Sequence, residues 1–251
     1  MTEHRFFIDP IIVTASKVET SDRELLHRLH VTRINTGEEV ELFNENEGYL
    51  AQLTEVTKRS ASFLITKKNS IFEERKPKLF LIQCILKGRA MDDVIEKTTE
   101  LGISGIISCI TNRVVPRISN NKAKCERWQK LVLPAVIRSD RYAIPKIHDI
   151  ITINSLSESI QSISHKYAVH KNFKVLLNEH EKEIKLWHVL QNKSYDAIFL
   201  MIGLEGGSEE SEVQTLLSMG FISTQFSERV LTADVAAIGA TALTQYLIGK
   251  L

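Results

Sequence analysis

Hydrophobic and polar positions change rhythm part-way along the chain. Up to about residue 70 the apolar residues come in short runs, "HRFFIDP", "EEVELFNENEGYLAQLTEV" and "SASFLITKK". Turn chemistry separates them at Thr36-Gly37 and from Asn44 to Gly48. Short β-rich runs punctuated this way predict the strands of a small β-barrel. One interruption, "SDRELLHRLHV", has helical spacing, with Ser21 placed to cap it and Glu24 at the capping-box position.

The polar segment "FEERKPK" at 72–78 follows, and Lys76 before Pro77 is biased towards extended backbone, which suits a linker. The boundary expected here separates a domain over 1–74 from one over 75–251. Beyond it, apolar strand-like runs alternate with longer amphipathic stretches: "LFLIQCIL", "MDDVIEKTTELG", "GIISCIT", "KCERWQKLVLPAVIRS". The same alternation continues through "FKVLLNE", the long helix-like "HEKEIKLWHVLQ", "AIFLMIG", "SEESEVQTLLSMG", "ISTQF" and the Ala-rich "ADVAAIGATALTQYLIG". Strands alternating with helices predict an α/β domain built on a parallel sheet. The small residues of the last stretch would let other groups approach that helix closely.

Composition narrows the class. Of 251 residues 43% are hydrophobic and 25% charged, as in ordinary soluble globular proteins. No run approaches the roughly 18 apolar residues of a spanning helix, and "MTEHRFFIDP" lacks the layout of a signal peptide, so a cytoplasmic protein is expected. Three cysteines, Cys84, Cys109 and Cys125, without CxxC spacing argue against both disulfides and a zinc site. The histidines show no metal-ligand spacing either, and no metal is expected. Net charge is only +1, yet Thr111 to Lys146 carries nine basic residues against Glu126 and Asp140. Such a local excess is the footprint of a phosphate-backbone binder, although a charge run also serves as a solvated face. Arg113, Arg117, Lys124, Arg127 and Arg141 are the candidate phosphate contacts for a nucleic acid.

The most distinctive stretch is "AIFLMIGLEGGSEESEVQTLL", residues 197–217. A buried strand ends in Gly-Leu-Glu-Gly-Gly, Ser208 can cap the helix that follows, and open α/β sheets bind ligands at such carboxyl ends. The turn matches neither GxxxxGK[ST] nor GxGxxG, and Glu205, Glu209 and Glu210 would repel a diphosphate. Free amides and nearby carboxylates suit a nucleoside that is cationic at the contact, such as the sulfonium S-adenosylmethionine. The plainer alternative is a tight strand-to-helix turn whose glutamates favour the helix dipole.

Together "IGLEGGSEESEV" and, about twenty residues on, "ERVLTADVAA" resemble the IGPEGG and RILRxETA signatures of the RsmE family. These are methyltransferases that make N3-methyluridine in the small-subunit ribosomal RNA of bacteria. "HRFFID", "GEEVELFNENEGYLAQL", "LKGRAMDDVIEKTTELGISGIIS", "TNRVVPRI" and "KCERWQKLVLPA" match the same family in order and spacing, over nearly the whole chain. The resemblance implies an N-terminal PUA-like β-barrel that helps hold RNA. It also implies a C-terminal SPOUT domain tied in a deep trefoil knot, a rare exception to unthreaded chains. The knot would bind S-adenosylmethionine, and two chains would pair as a homodimer acting on 16S ribosomal RNA of the small subunit.

Carried over by motif, the cofactor pocket would take in Leu177 and Asn178, Ile202, Gly203, Leu204, Glu205, Gly206 and Gly207, and Arg229, Val230, Leu231 and Asp234. The chain departs from the family pattern at Leu204 (proline), Thr232 (arginine), Asp234 (glutamate) and Ile137–Arg141, where a Glu-Gln-Ser/Cys-Gly-Arg stretch is usual. No His-Asp or Cys-His pair stands out as a base. Catalysis is therefore assigned mainly to orientation, with Arg229 stabilising the developing uracil anion and Asp234 receiving hydrogen bonds from the cofactor or the turn. Asp234 as a helix N-cap is the competing reading. Two rivals stay open: a non-catalytic RNA-binding or ribosome-assembly protein of the same fold, and a SPOUT methyltransferase for another RNA.

Overall fold

The computed structural model describes residues 4–9, 13–14, 16–45, 47–69, 76–110, 121–191, 194–203 and 210–251. The chain divides into two compact units, Met1–Glu73 with Asp140–Ala143, and Glu74–Ser139 with Ile144–Leu251.

The first unit is a six-stranded sheet. Its strands are β1 (Arg5–Phe7), β2 (Val13–Thr14), β3 (Lys17–Thr20), β4 (Glu39–Phe43), β5 (Gly48–Val56) and β6 (Ala61–Asn69), in the order β1-β4-β5-β6-β3-β2. All neighbours run antiparallel except β1 and β4. Two irregularities in the β5–β6 register, at Leu50/Ala51 and Leu53/Glu55, supply the bends a small barrel needs. Alternate residues Val40, Leu42, Ala51, Leu53 and Phe63 point into a core closed by Leu25, Leu26 and Leu29 of helix α1 (Arg23–Thr32). The cap of α1 is Asp22, not Ser21: its Oδ1 accepts from the Leu25 amide at 2.7 Å. Arg33, at φ 55°, ends the helix in the left-handed region.

A short excursion completes this unit. Arg5 donates to Glu41 at 2.7 Å and to the Arg141 carbonyl at 3.2 Å, and its guanidinium lies 4.6 Å from the Phe43 ring and 4.8 Å from that of Tyr142. The Tyr142 hydroxyl donates to the same Glu41. Burying Arg5 at 6% exposure is tolerable because a carboxylate, a carbonyl and two ring faces replace its water.

The second unit is a parallel sheet of seven strands: β7 (Lys78–Cys84), β8 (Gly105–Ile110), β9 (Lys146–Ile147), β10 (Ile151–Thr152), β11 (Asn172–Leu177), β12 (Ala197–Ile202) and β13 (Ile222–Thr224). The order is β10-β8-β7-β12-β11-β13, with β9 also paired to β8. Strands β7, β8 and β12 read as nearly unbroken apolar runs because both of their faces are covered. Helices α2 (Ala90–Glu100), α3 (Asn121–Arg138), α4 (Leu156–Lys166), α5 (Leu186–Leu190), α6 (Glu210–Ser218) and α7 (Ala233–Leu247) connect or follow them. This is the α/β architecture expected of a SPOUT domain. Helix α7 packs on β7, β12 and α2 although β13, the strand before it, lies beyond β11. The connecting residues 225–232 therefore run back across the carboxyl ends of β11 and β12.

The long helix expected over "HEKEIKLWHVLQ" shrinks to the five residues of α5. Upstream, the Glu181 carboxylate accepts from the amides of Glu183 and Ile184, and Lys185 pairs with Gln225 as an isolated parallel bridge. Those backbone groups are used in a turn and a strand contact, so no helix forms there. The three cysteines are buried and unbridged, and among the described residues no three metal-ligating side chains cluster. No helix is long and apolar enough to cross a membrane.

Candidate functional site

A cleft of about 120 Å³ opens where β11 and β12 end. Leu177 and Asn178 leave β11, Ile202 and Gly203 leave β12, and the returning segment from Phe226 to Leu231 makes the third wall. Ala233 and Ala236 present only methyl groups from the first turns of α7. The position follows from topology: neighbouring parallel strands end together, and their loops diverge to leave a crevice.

Hydrogen bonds hold the walls. Asn178 donates from Nδ2 to Ser223 Oγ at 3.2 Å, accepts from the His180 amide at 3.0 Å on Oδ1, and gives its own amide to Thr224. Gln225 is clamped by the Ile184 carbonyl and the Leu186 amide, and its side-chain oxygen accepts from Lys185. Lys185 also lies 3.9 Å from the Glu228 carboxylate. Beyond this clamp the N–H groups of Phe226, Val230 and Leu231 donate to no other described residue.

Of the residues expected for the cofactor, Leu177, Asn178, Ile202, Gly203, Arg229, Val230 and Leu231 meet in this one cleft. Leu204, Glu205, Gly206 and Gly207 lie outside the described residues. Asp234 is not among the lining residues: it sits in the first turn of α7, where the Thr232 hydroxyl bonds its carboxylate and lowers its pKa. Thr232 occupies the N-cap without a side-chain cap bond, so Asp234 supplies the negative charge that the helix start favours. Arg229 and Val230 are exposed at the rim, Val230 to 83%. Glu179, Phe226, Ser227 and Glu228 also line the cleft and were not anticipated. Their only sequence signal is adjacency, Glu179 to Asn178 and the other three to Arg229.

The candidate RNA contacts separate. Arg113 and Arg117 lie outside the described residues. Lys124 places its ammonium 5.1 Å from the centre of the Trp128 ring. Arg127 is held in a fork by Asp92 at 2.8 and 2.6 Å, a bond that raises its own pKa and lowers that of Asp92. Arg138 is likewise tied to Glu96 and Glu100. Carboxylates of α2 thus neutralise part of the basic run on α3, and charge counted along the sequence overstates the field. Arg141 belongs to the first unit, where its carbonyl receives Arg5.

Residues 73–245 match the model of the RNA methyltransferase domain family. The chain belongs to that family. Ribosomal RNA small subunit methyltransferase E of Bacillus subtilis is 24% identical over 251 residues, 96% of each chain. The enzyme of the same name from Mesomycoplasma hyopneumoniae is 29% identical over 77% of this chain and 79% of its own. A crystal structure of ribosomal RNA small subunit methyltransferase E from Neisseria gonorrhoeae, bound to S-adenosylmethionine, superposes with a TM-score of 0.82 at 26% identity, covering 97% of both chains. The RsmE resemblance read from the motifs is thereby borne out, and with it the fold.

Proposed function

We propose that this protein transfers a methyl group from S-adenosylmethionine to N3 of a uridine in 16S ribosomal RNA of the small subunit. The observation that carries the reading is the cleft at the carboxyl ends of β11 and β12, walled by the RsmE-like motif residues. Its chemistry fits the cofactor. Leu177, Ile202, Leu231 and the alanines of α7 offer apolar surface to a purine, and the N–H groups of Phe226, Val230 and Leu231, which donate to no described residue, offer donors to its edge. Glu179 and Glu228 give negative charge beside a sulfonium and acceptors for ribose hydroxyls.

When bound, the cofactor supplies an electrophilic methyl group. The chain's part is to hold and orient. Fixing two reactants in line contributes up to roughly 7–11 kcal/mol in well-aligned systems. Arg229, at the rim with no ion pair to a described residue, is the group assigned to the negative charge that develops on uracil as its N3 proton leaves. The first unit is assigned to RNA holding and the second to methyl transfer, in a cytoplasmic homodimer. Val235 at 50% and Tyr246 at 68% exposure put apolar surface on the outside of α7 that a second copy would cover.

The test is labelled methyl transfer to small subunits lacking the modification, with free 16S RNA alongside. Label recovered as N3-methyluridine from either supports the reading. Cofactor binding without incorporation would redirect it to another RNA, and absence of both would leave the non-catalytic alternative.

A further inference from the structure

The strands of the second unit begin at an edge that the cleft does not use. Lys78 opens β7, Lys146 opens β9, Lys166 ends α4 and Lys171 immediately precedes β11. Lys78 and Lys166 place their ammoniums 5.4 and 5.5 Å from the centre of the same Tyr167 ring. Lys171 lies 5.6 Å from the ring of Tyr195, which stacks on Phe173 at 4.4 Å. Asp196 joins the two groups: its carbonyl receives the Lys78 amide, and its carboxylate receives Lys76 and the amides of His170 and Lys171. His148, against Phe80, registers the local field, since burial and then Lys146 and Lys166 push its pKa down to about 4.

We infer that this amino-terminal edge of the parallel sheet is a second contact surface for the phosphate backbone of the substrate RNA, about 20 Å along the strands from the cleft. The inference rests on the proposed methyl transfer to RNA. Lysines gathered at one edge repel one another, and an anion relieves that repulsion. Lys146, Lys166 and Lys171 are exposed and form no salt bridge with a described residue. The described carboxylates of the patch are Asp149, beside His148, and Asp196, already committed to Lys76. Tyrosine rings lie beside the ammoniums of Lys78, Lys166 and Lys171, and Lys146 joins them from the start of β9. A backbone that carries one charge per phosphate matches such a row better than a single small anion does.

The full-length triple variant Lys146→Gln, Lys166→Gln, Lys171→Gln tests this, with binding to 16S RNA and methyl transfer to small subunits both measured across salt concentration. Loss of three phosphate contacts predicts a salt slope shallower by about 2 to 3 and binding weaker by roughly a hundredfold near physiological salt. Cofactor affinity should stay within about twofold, and the corresponding Lys→Arg triple should restore RNA binding. Unchanged RNA affinity and slope in the Gln variant would overturn the inference. So would RNA binding kept while binding to phosphatidylglycerol vesicles is lost, which would assign the patch to a membrane surface. If the unaltered protein binds RNA through these lysines yet transfers no methyl, the patch stands and the proposed reaction fails.

Discussion

At the scale of single residues, Arg229 and Asp234 part company although the motif places them five apart. Arg229 stands exposed at the cleft rim, whereas Asp234 is bonded to Thr232 in the first turn of α7. Arg229→Ala should lower kcat by about 100- to 1,000-fold, the usual loss of one preorganised charge-stabilising donor. Full methylation by that variant would remove the role. Asp196 makes a different prediction. The Lys76 ammonium and two backbone amides hold its carboxyl below the usual range. A depressed folded pKa gives stability that is present above the unfolded value of 3.8 and is lost as pH falls through the lower folded value. Asp196→Asn should therefore melt at lower temperature near neutral pH, and the gap should narrow below about pH 4; a pH-independent gap would contradict the assignment.

At the scale of elements, α7 shows what its small residues are for. A Cβ added at Gly239 would stand 3.0 Å from the Phe226 ring, so the side chain that approaches there belongs to the cleft wall. Gly239→Ala raises helix propensity by about 1 kcal/mol but displaces Phe226. The expected outcome is cofactor binding weakened several-fold in a titration, with no loss of helix content; unchanged affinity would show that the ring yields freely. Such a contact was only half legible in the chain. The Ala and Gly run announced close packing, yet nothing in it named Phe226 as the partner, because the two meet through a reversal of direction between β13 and α7. Strands buried on both faces, β7, β8 and β12, were plain from their apolar runs, as was the parallel arrangement. The helix expected over 180–191 forms only at its end: the amphipathic spacing is real, but the backbone amides of Glu183 and Ile184 are spent on Glu181, and Lys185 pairs with Gln225. The cap of α1 slipped by one residue for the simpler reason that Ser21 and Asp22 are both good caps. At the site, motif residues that also line the cleft were readable, and Glu179, Phe226 and Glu228 were not, since they carry no pattern beyond position.

At the scale of the whole molecule, charge and surface decide what the protein meets. The net charge is +1, and Arg127 and Arg138 are already paired, so RNA affinity has to come from local groups of lysines and arginines. The exposed apolar side of α7 points to self-association. Sedimentation equilibrium should give twice the chain mass, and Tyr246→Asp should shift the protein towards monomer; a monomeric parent would contradict the proposed dimer. The central claim is more specific than methylation of RNA: it concerns one atom of one base. The most direct measurement is nucleoside mass spectrometry of 16S RNA recovered from unmodified small subunits after incubation with the protein and labelled S-adenosylmethionine. Label in N3-methyluridine is the predicted result, and label in a 2′-O-methyl nucleoside or a carbon-methylated base, or none at all, would contradict the account.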